Sequence, residues 1–294
     1  MNASALMAAI AEGGANGAAL AELFGVSRTM VWKTMELLRG EGVQIEGTAG
    51  EGYRLVDPAG FGPLTLGWRL GRDVHFFEQC GSTNVEARAL AEEMNNPGGT
   101  LVVANQQTAG RGRLGRTWDG EAGLNLMFSL VLEPPVIPQM APVCVLAWAA
   151  AMAEVLECQV KWPNDLITRD GQKLGGILAE LSAEAEQVRF VVMGVGINVN
   201  QDTFPGLPLA TSVAAETGAS ADRAELLQRL VSAIESVDLS GGPSLELWRA
   251  RSHTLGRRVR VGDVEGVAQD VREDGALLID GHPVLAGDVE MVVS

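Results

Sequence analysis

Residues 110–118 read Gly-Arg-Gly-Arg-Leu-Gly-Arg-Thr-Trp: three arginines and three glycines in seven positions, then a tryptophan two places beyond the last arginine. Arg111, Arg113 and Arg116 carry planar, permanently charged guanidinium groups whose paired donors fit carboxylate or phosphate oxygens. Gly110, Gly112 and Gly115 let the backbone turn tightly and bring its amides close to a bound group. Trp118 adds a flat face suited to stacking on adenine or a similar ring. By its chemistry the run is an anion cradle, or else a solvated basic turn beside a core tryptophan.

Four further phrases could join it. Ser82-Thr83-Asn84 precedes a helical pattern over 85–94, a position where capping and ligand binding both use hydroxyls. Lys161-Trp162-Pro163-Asn164-Asp165 opens a hairpin expected to turn at Asp170-Gly171, and its Asn and Asp could serve either backbone groups beside Pro163 or a ligand. Lys173 begins an apolar strand beside Gly175 and Gly176, where small residues admit a ligand close to the backbone and a compact ammonium can offset phosphate charge. Gly194-Val195-Gly196-Ile197-Asn198 ends another apolar strand whose glycines leave room for a ligand, without the third glycine and following helix of a dinucleotide fingerprint.

The three histidines lie in unrelated contexts, so no Ser-His-Asp or Cys-His set is assembled. Cys80, Cys144 and Cys158 lack CxxC or CxxH spacing, which points away from a disulfide framework or structural zinc and toward packed, reduced thiols.

These phrases need a scaffold, and 294 residues allow two or three domains. Residues 1–57 show three short helical patterns, with Ser27 as N-cap of a helix over 28–39, then two strands around a Gly-rich turn at 47–52. This is a winged helix-turn-helix, with Ser27, Arg28, Thr29, Lys33 and Arg39 available to a major groove. Its Lys/Arg (28, 33, 39, 54) are outnumbered by Asp/Glu (12, 22, 36, 41, 46, 51, 57), a net charge of −3. DNA binding and a purely structural role therefore both stand. Pro58 to Pro63 read as a linker. Residues 65–240 alternate strands and helices and carry every phrase above. Residues 254–294 hold brief strands separated by Gly-Asp and Asp-Gly turns, the pattern of a small SH3-like β-barrel. The fold class expected is α+β.

Net charge is −15, which argues against broad affinity for nucleic acid or anionic membrane. The longest uncharged apolar stretch, 140–153, is too short to span a bilayer, and a buried helix is expected there. No basic stretch precedes Arg28, so no secretory signal is expected and the cytoplasm is the expected compartment, with no membrane partner.

Taken in order, Ser82-Thr83-Asn84, Gln107, the 110–118 loop, Lys161 to Asp165, Lys173-x-x-Gly176-Ile177 and Gly196-Ile197-Asn198 resemble the biotin-protein ligases. The winged helix in front matches their bifunctional class, which also represses biotin operons. The resemblance implies a class II synthetase-like α/β catalytic domain with a mixed sheet. It implies a two-step ligation using ATP, biotin and Mg²⁺, in which biotinyl-5′-AMP forms and biotin passes to a lysine of a biotin carboxyl carrier domain. Biotin contacts would come from Ser82, Thr83, Asn84, Gln107, Gly110, Arg111, Arg113, Gly175 and Gly176. Nucleotide contacts would come from Arg111, Trp118, Asn164, Lys173 and Asn198, with Arg113, Lys173 and Asp165 catalytic. Asp165 is the candidate metal ligand, or the holder of a neighbouring basic group. Operator DNA and a homodimer formed when the adenylate is bound complete the implied partners. A ligase whose winged helix does not bind DNA, and a biotin-sensing repressor without catalysis, are the alternatives.

Overall fold

In the computed structural model of the chain, residues 3–12, 15–47, 52–184, 187–240 and 242–292 are described. Contacts divide the chain into Met1–Phe76 with Asp222–Gln228, and Phe77–Ala221 with Arg229–Ser294.

The first unit holds α1 (Ala3–Ala11), α2 (Gly17–Leu23), α3 (Arg28–Gly40), the antiparallel pair β1 (Gln44–Glu46) and β2 (Arg54–Asp57), and α4 (Pro63–Leu70). Asn16 caps α2 by accepting from the amides of Ala18 and Ala19, and Ser27 Oγ caps α3 by accepting from Met30 N at 3.1 Å. Gly25, at φ +62°, makes the turn between them, where a side chain would be strained. Leu6, Met7, Ile10, Leu20, Val31, Met35, Leu38 and Tyr53 form the core of this helix-turn-helix. Most of the Gly-rich turn between the strands, 48–51, lies outside the described residues. Pro58 to Pro63, expected as a linker, run into α4, whose Leu64 and Trp68 pack on the same core. The Glu41 carboxylate fixes the start of α4, accepting from Leu64 N (3.0 Å), Thr65 N (2.8 Å) and Thr65 Oγ1 (2.7 Å), where a negative charge is favoured by the helix dipole.

The second unit is built on a seven-stranded sheet, to which the elements β3 (His75–Phe77), β4 (Leu101–Ala104), β5 (Leu126–Leu132), β6 (Gln159–Lys161), β7 (Asp165–Ile167), β8 (Lys173–Glu184) and β9 (Gln187–Ile197) contribute in the order β3-β4-β5-β9-β8-β7-β6. The pairings from β4 through β6 are antiparallel, and the bridge Cys80–Gln107 is parallel, so the sheet region is mixed. Helix α5 (Thr83–Glu93) lays Ala87 and Ala91 on Val102, Val131, Phe190 and Val192. Helix α6 (Ala141–Val155) is buried along most of its length, and the 18-residue stretch Pro138–Val155, apolar enough for a membrane span, has 61% of itself inside the protein. A turn does lie at the expected Asp170-Gly171, between β7 and β8 with Gly171 at φ +85°, but the phrase before it holds a second turn, Trp162-Pro163-Asn164, which makes the β6–β7 hairpin. Trp162 is pinned there, 2% exposed, with Nε1 donating to Gly275 O at 3.0 Å.

After α7 (Val213–Thr217), α8 (Arg223–Glu235) and α9 (Glu246–Ala250), strands β10 (Arg258–Val261), β11 (Val264–Val271), β12 (Leu277–Ile279), β13 (His282–Val284) and β14 (Glu290–Met291) form an antiparallel sheet. Its order is β13-β12-β11-β10-β14. The three cysteines are buried and free, and burial pushes Cys80 and Cys144 up to about 11 and Cys158 up to about 12. They are packing thiols, not nucleophiles.

Candidate ligand cleft

A cleft, open at its mouth, brings together Ser82, Thr83, Asn84, Gln107, Arg111, Arg113, Trp118, Asn164, Asp165, Lys173 and Gly176. These residues come from the N-terminus of α5, the loop after β4, the β6–β7 turn and the first residues of β8.

The 110–118 loop is a small hydrogen-bonded hairpin. Trp118 N donates to Gly110 O at 2.9 Å and Gly112 N to Arg116 O at 2.7 Å. The tip turns through Leu114 and Gly115 at φ +55° and +75°. Gly110 sits so close to the Trp118 carbonyl that a Cβ would overlap it. Each arginine meets a different segment: Arg111 pairs with Glu180 of β8 at 3.2 Å, Arg113 donates to Asn164 Oδ1 at 3.2 Å, and Arg116 pairs with Asp288, in the loop between β13 and β14. Partly exposed ion pairs such as those of Arg111 and Arg116 contribute only about 0.2–1 kcal/mol each, so these two guanidinium groups can be handed from protein carboxylates to a bound anion. Burial draws the Arg113 pKa below its ordinary range, with Asp288 and Asp165 opposing that shift.

One end of the cleft is lined by hydroxyls and amides. Thr83 N and Thr83 Oγ1 both donate to Gln107 Oε1, at 2.7 and 3.1 Å. Ser129 Oγ lies 2.8 Å from Thr83 Oγ1 and 2.6 Å from Asn84 Oδ1. Asn84 Nδ2 donates to Leu178 O and Glu180 Oε2, both at 3.1 Å. Ser82 occupies the N-cap of α5 but its side chain makes no capping hydrogen bond, so its hydroxyl is left for the cleft.

The other end is charged. Lys173 Nζ lies 2.6 Å from Asp165 Oδ1 and 5.9 Å from the Trp118 ring centroid. Asp165 therefore holds the basic group. Among the described residues no group of three His, Cys, Asp or Glu could cage a metal ion. A single carboxylate suits Mg²⁺ only when phosphate oxygens complete its shell.

The glycines of the 194–198 segment, expected to leave room for a ligand, first make room for the protein. A Cβ on Gly194 would overlap Asn84 Oδ1, and one on Gly196 would overlap the Trp118 indole. Gly110 lines a second, apolar groove on the outer face of the loop, with Pro142, Leu146, Trp162 and Leu285. Gly175 and Asn198 line neither space: Gly175 packs against Gly196 O, and Asn198 is buried, donating to Thr211 O at 3.0 Å and to Lys173 O at 3.5 Å. On the helix-turn-helix, Ser27 Oγ caps α3, whereas Arg28, Thr29 and Lys33 are exposed. Arg39 is engaged by the carbonyls of Ile45 and Gly47.

The sequence did not mark Asp288, which lines the cleft, nor Ser129 and Glu180, which hold Asn84 in place beside it. Ser129 is visible as a polar interruption of an apolar strand and Glu180 as a charge inside another, but nothing local marks Asp288, 172 positions from its partner.

Residues 77–198, which hold most of the cleft, match the biotin/lipoate A/B protein ligase family, and residues 5–54 match an HTH domain. The bifunctional ligase/repressor BirA of Bacillus subtilis is 33% identical over 305 residues, covering 94% of this chain and 93% of its own. That of Escherichia coli is 32% identical over 299 residues, covering 94% and 92%. The solved structure of biotin protein ligase from Aquifex aeolicus in complex with biotin and ATP superposes with a TM-score of 0.58 at 29% identity, covering 75% of this chain and 99% of that one. With the cleft and the N-terminal helix-turn-helix in one chain, the protein belongs to the biotin-protein ligase family, in the group of bifunctional ligase/repressors.

Proposed function

We propose that the cleft joins biotin to ATP and then passes the biotinyl group to a lysine of a carrier domain. In the first step a biotin carboxylate oxygen bonds to the α-phosphorus while the bond to pyrophosphate breaks, leaving biotinyl-5′-AMP. In the second, a lysine amine attacks the biotinyl carbonyl, the bond to the phosphate oxygen breaks, and AMP leaves as the amine gives up its proton. The carboxylate is already a nucleophile, so the task is to hold anions together. Arg111, Arg113 and Lys173 supply positive charge where it develops. Ser82 and Gln107 hold the neutral ureido ring, with Thr83 and Asn84 fixed behind them by Ser129. Trp118 covers the adenine. Asp165, which is paired with Lys173, would hold a Mg²⁺ arriving with ATP, and the ion would supply further positive charge to the phosphates. The ordered loop shields the mixed anhydride from water.

The observation that carries this reading is the polarity of the cleft, with a hydroxyl and amide network at one end and Arg113, Lys173 and Asp165 at the other. Transfer of labelled biotin to an apo carrier domain tests it. Arg113→Ala is expected to lose about 100-fold or more in rate, in the range seen on removing one charge-stabilising donor. Wild-type protein that binds biotin without transferring it would leave only a sensor.

The winged helix is the operator-binding element in this proposal, acting as an adenylate-dependent homodimer on a two-fold site. The C-terminal sheet is an SH3-like module that supplies Asp288 to the loop. Sedimentation with and without biotin and ATP tests the coupling, and a monomer under both conditions at micromolar protein refutes it.

A further inference from the structure

Helix α3 packs through Val31, Thr34, Met35 and Leu38. On the other side Thr29, Trp32, Lys33 and Glu36 follow i, i+3, i+4, i+7 spacing and so share one face. All four are exposed, Trp32 by 47%. A half-open tryptophan in the middle of a charged helix face leaves a large flat apolar surface in water, and such a surface marks a contact site.

The charges around it are few. Arg39 pairs with Glu36 at 2.6 Å and donates to the carbonyls of Ile45 and Gly47, and Arg54 pairs with Glu46. Arg28 and Lys33 remain, exposed on the same helix and in no ion pair among the described residues. They flank Trp32 with positive charge, which suits a duplex whose phosphates border the groove. Two phosphate contacts per copy, hence four in a homodimer, give a salt slope of only about −4, shallow beside the roughly −10 of a strongly electrostatic DNA-binding protein. Recognition must then draw on the bases. An indole packed flat in the major groove meets one apolar feature there, the C5-methyl of thymine.

We propose that Trp32 reads the 5-methyl group of a thymine in the major groove, so that a methyl contact, more than phosphate charge, carries the sequence choice of this winged helix. The inference rests on the reading that the helix-turn-helix binds DNA.

The test uses the full chain with biotin and ATP to enrich duplexes from a random library. Thymines of the best duplex are then replaced one at a time by deoxyuridine, which removes only the methyl group. Wild-type protein is expected to lose about fourfold in affinity at one thymine per half-site, the weight of one buried methyl. Trp32→Ala is expected to bind the parent duplex more weakly and to be indifferent to that replacement. Its far-ultraviolet circular dichroism and biotin-transfer rate, both expected to match wild type, show that it is folded. Indifference of the wild type to deoxyuridine at every thymine overturns the inference, as does a Trp32→Ala protein that keeps the full penalty. Failure to enrich any duplex overturns the DNA reading itself, and the methyl contact with it.

Discussion

Gly194 and Gly196 lie two apart on β9, on the same side of the sheet, and seat opposite ends of the cleft: Asn84 above the first, the Trp118 indole above the second. Adding one methyl at each position separates the two ends. In Gly196→Ala the new Cβ cannot coexist with the indole, and the strand is held on both sides by its pairing with Met127 and Gly176, so the tryptophan yields. Overpacking of this kind costs about 1–3 kcal/mol. Because Trp118 belongs to a loop, its displacement is expected to appear as lost nucleotide binding, with little change in Tm. The KM for ATP should rise about 5- to 150-fold, the equivalent of that energy, while the KM for biotin stays within about twofold, a change below 0.5 kcal/mol. In Gly194→Ala the methyl meets the Asn84 amide, itself tied to Ser129, Leu178 and Glu180, and the KM for biotin should carry the larger rise. Steady-state kinetics of adenylation, by pyrophosphate release, measures both constants. If Gly196→Ala leaves the ATP KM unchanged, or raises both constants equally in both variants, the assignment of the two ends is wrong.

Glu180 bridges Asn84 and Arg111, so Glu180→Gln removes the charge from two hydrogen bonds while keeping the shape. Charge-assisted bonds contribute about 1.5–3 kcal/mol, discounted here because Arg111 is half exposed. A rise of about 3- to 10-fold in the biotin KM with kcat nearly unchanged is expected, and a loss confined to kcat would refute the positioning role. His253 is buried beside Gln159, and burial, then the charges of Arg257 and Lys161, lowers its pKa below the ordinary value of about 6.5. The folded protein then binds this proton less readily than the unfolded chain. Stability should fall as pH drops from about 6.5 toward the lower folded pKa, and gain nothing further from this source above about 6.5. Urea midpoints from pH 8 to 5.5 check this, with His253→Gln expected to flatten the trend and an unaltered slope refuting it.

Much of the site was legible in order of sequence, because its chemistry is concentrated in short phrases. An arginine in a Gly-Arg loop, a lysine opening an apolar strand and hydroxyls before a helix are unusual wherever they fold. Helical and strand periodicity likewise exposed the helix-turn-helix, the buried helix over 141–155 and the run of C-terminal strands. What chain order could not supply was which groups meet. Whether Ser82 caps its helix depends on where its hydroxyl points, and whether Asp165 faces metal or Lys173 depends on the β7–β8 register. The Gly-x-Gly segment reads locally as an open floor for a ligand, yet its missing side chains make way for Asn84 and Trp118, which arrive from elements 110 and 78 positions away. Residue type and local spacing determine what a segment can do. The long-range pairing of strands, paid for by burial of the sheet, decides which of those capacities face the same few ångströms of space.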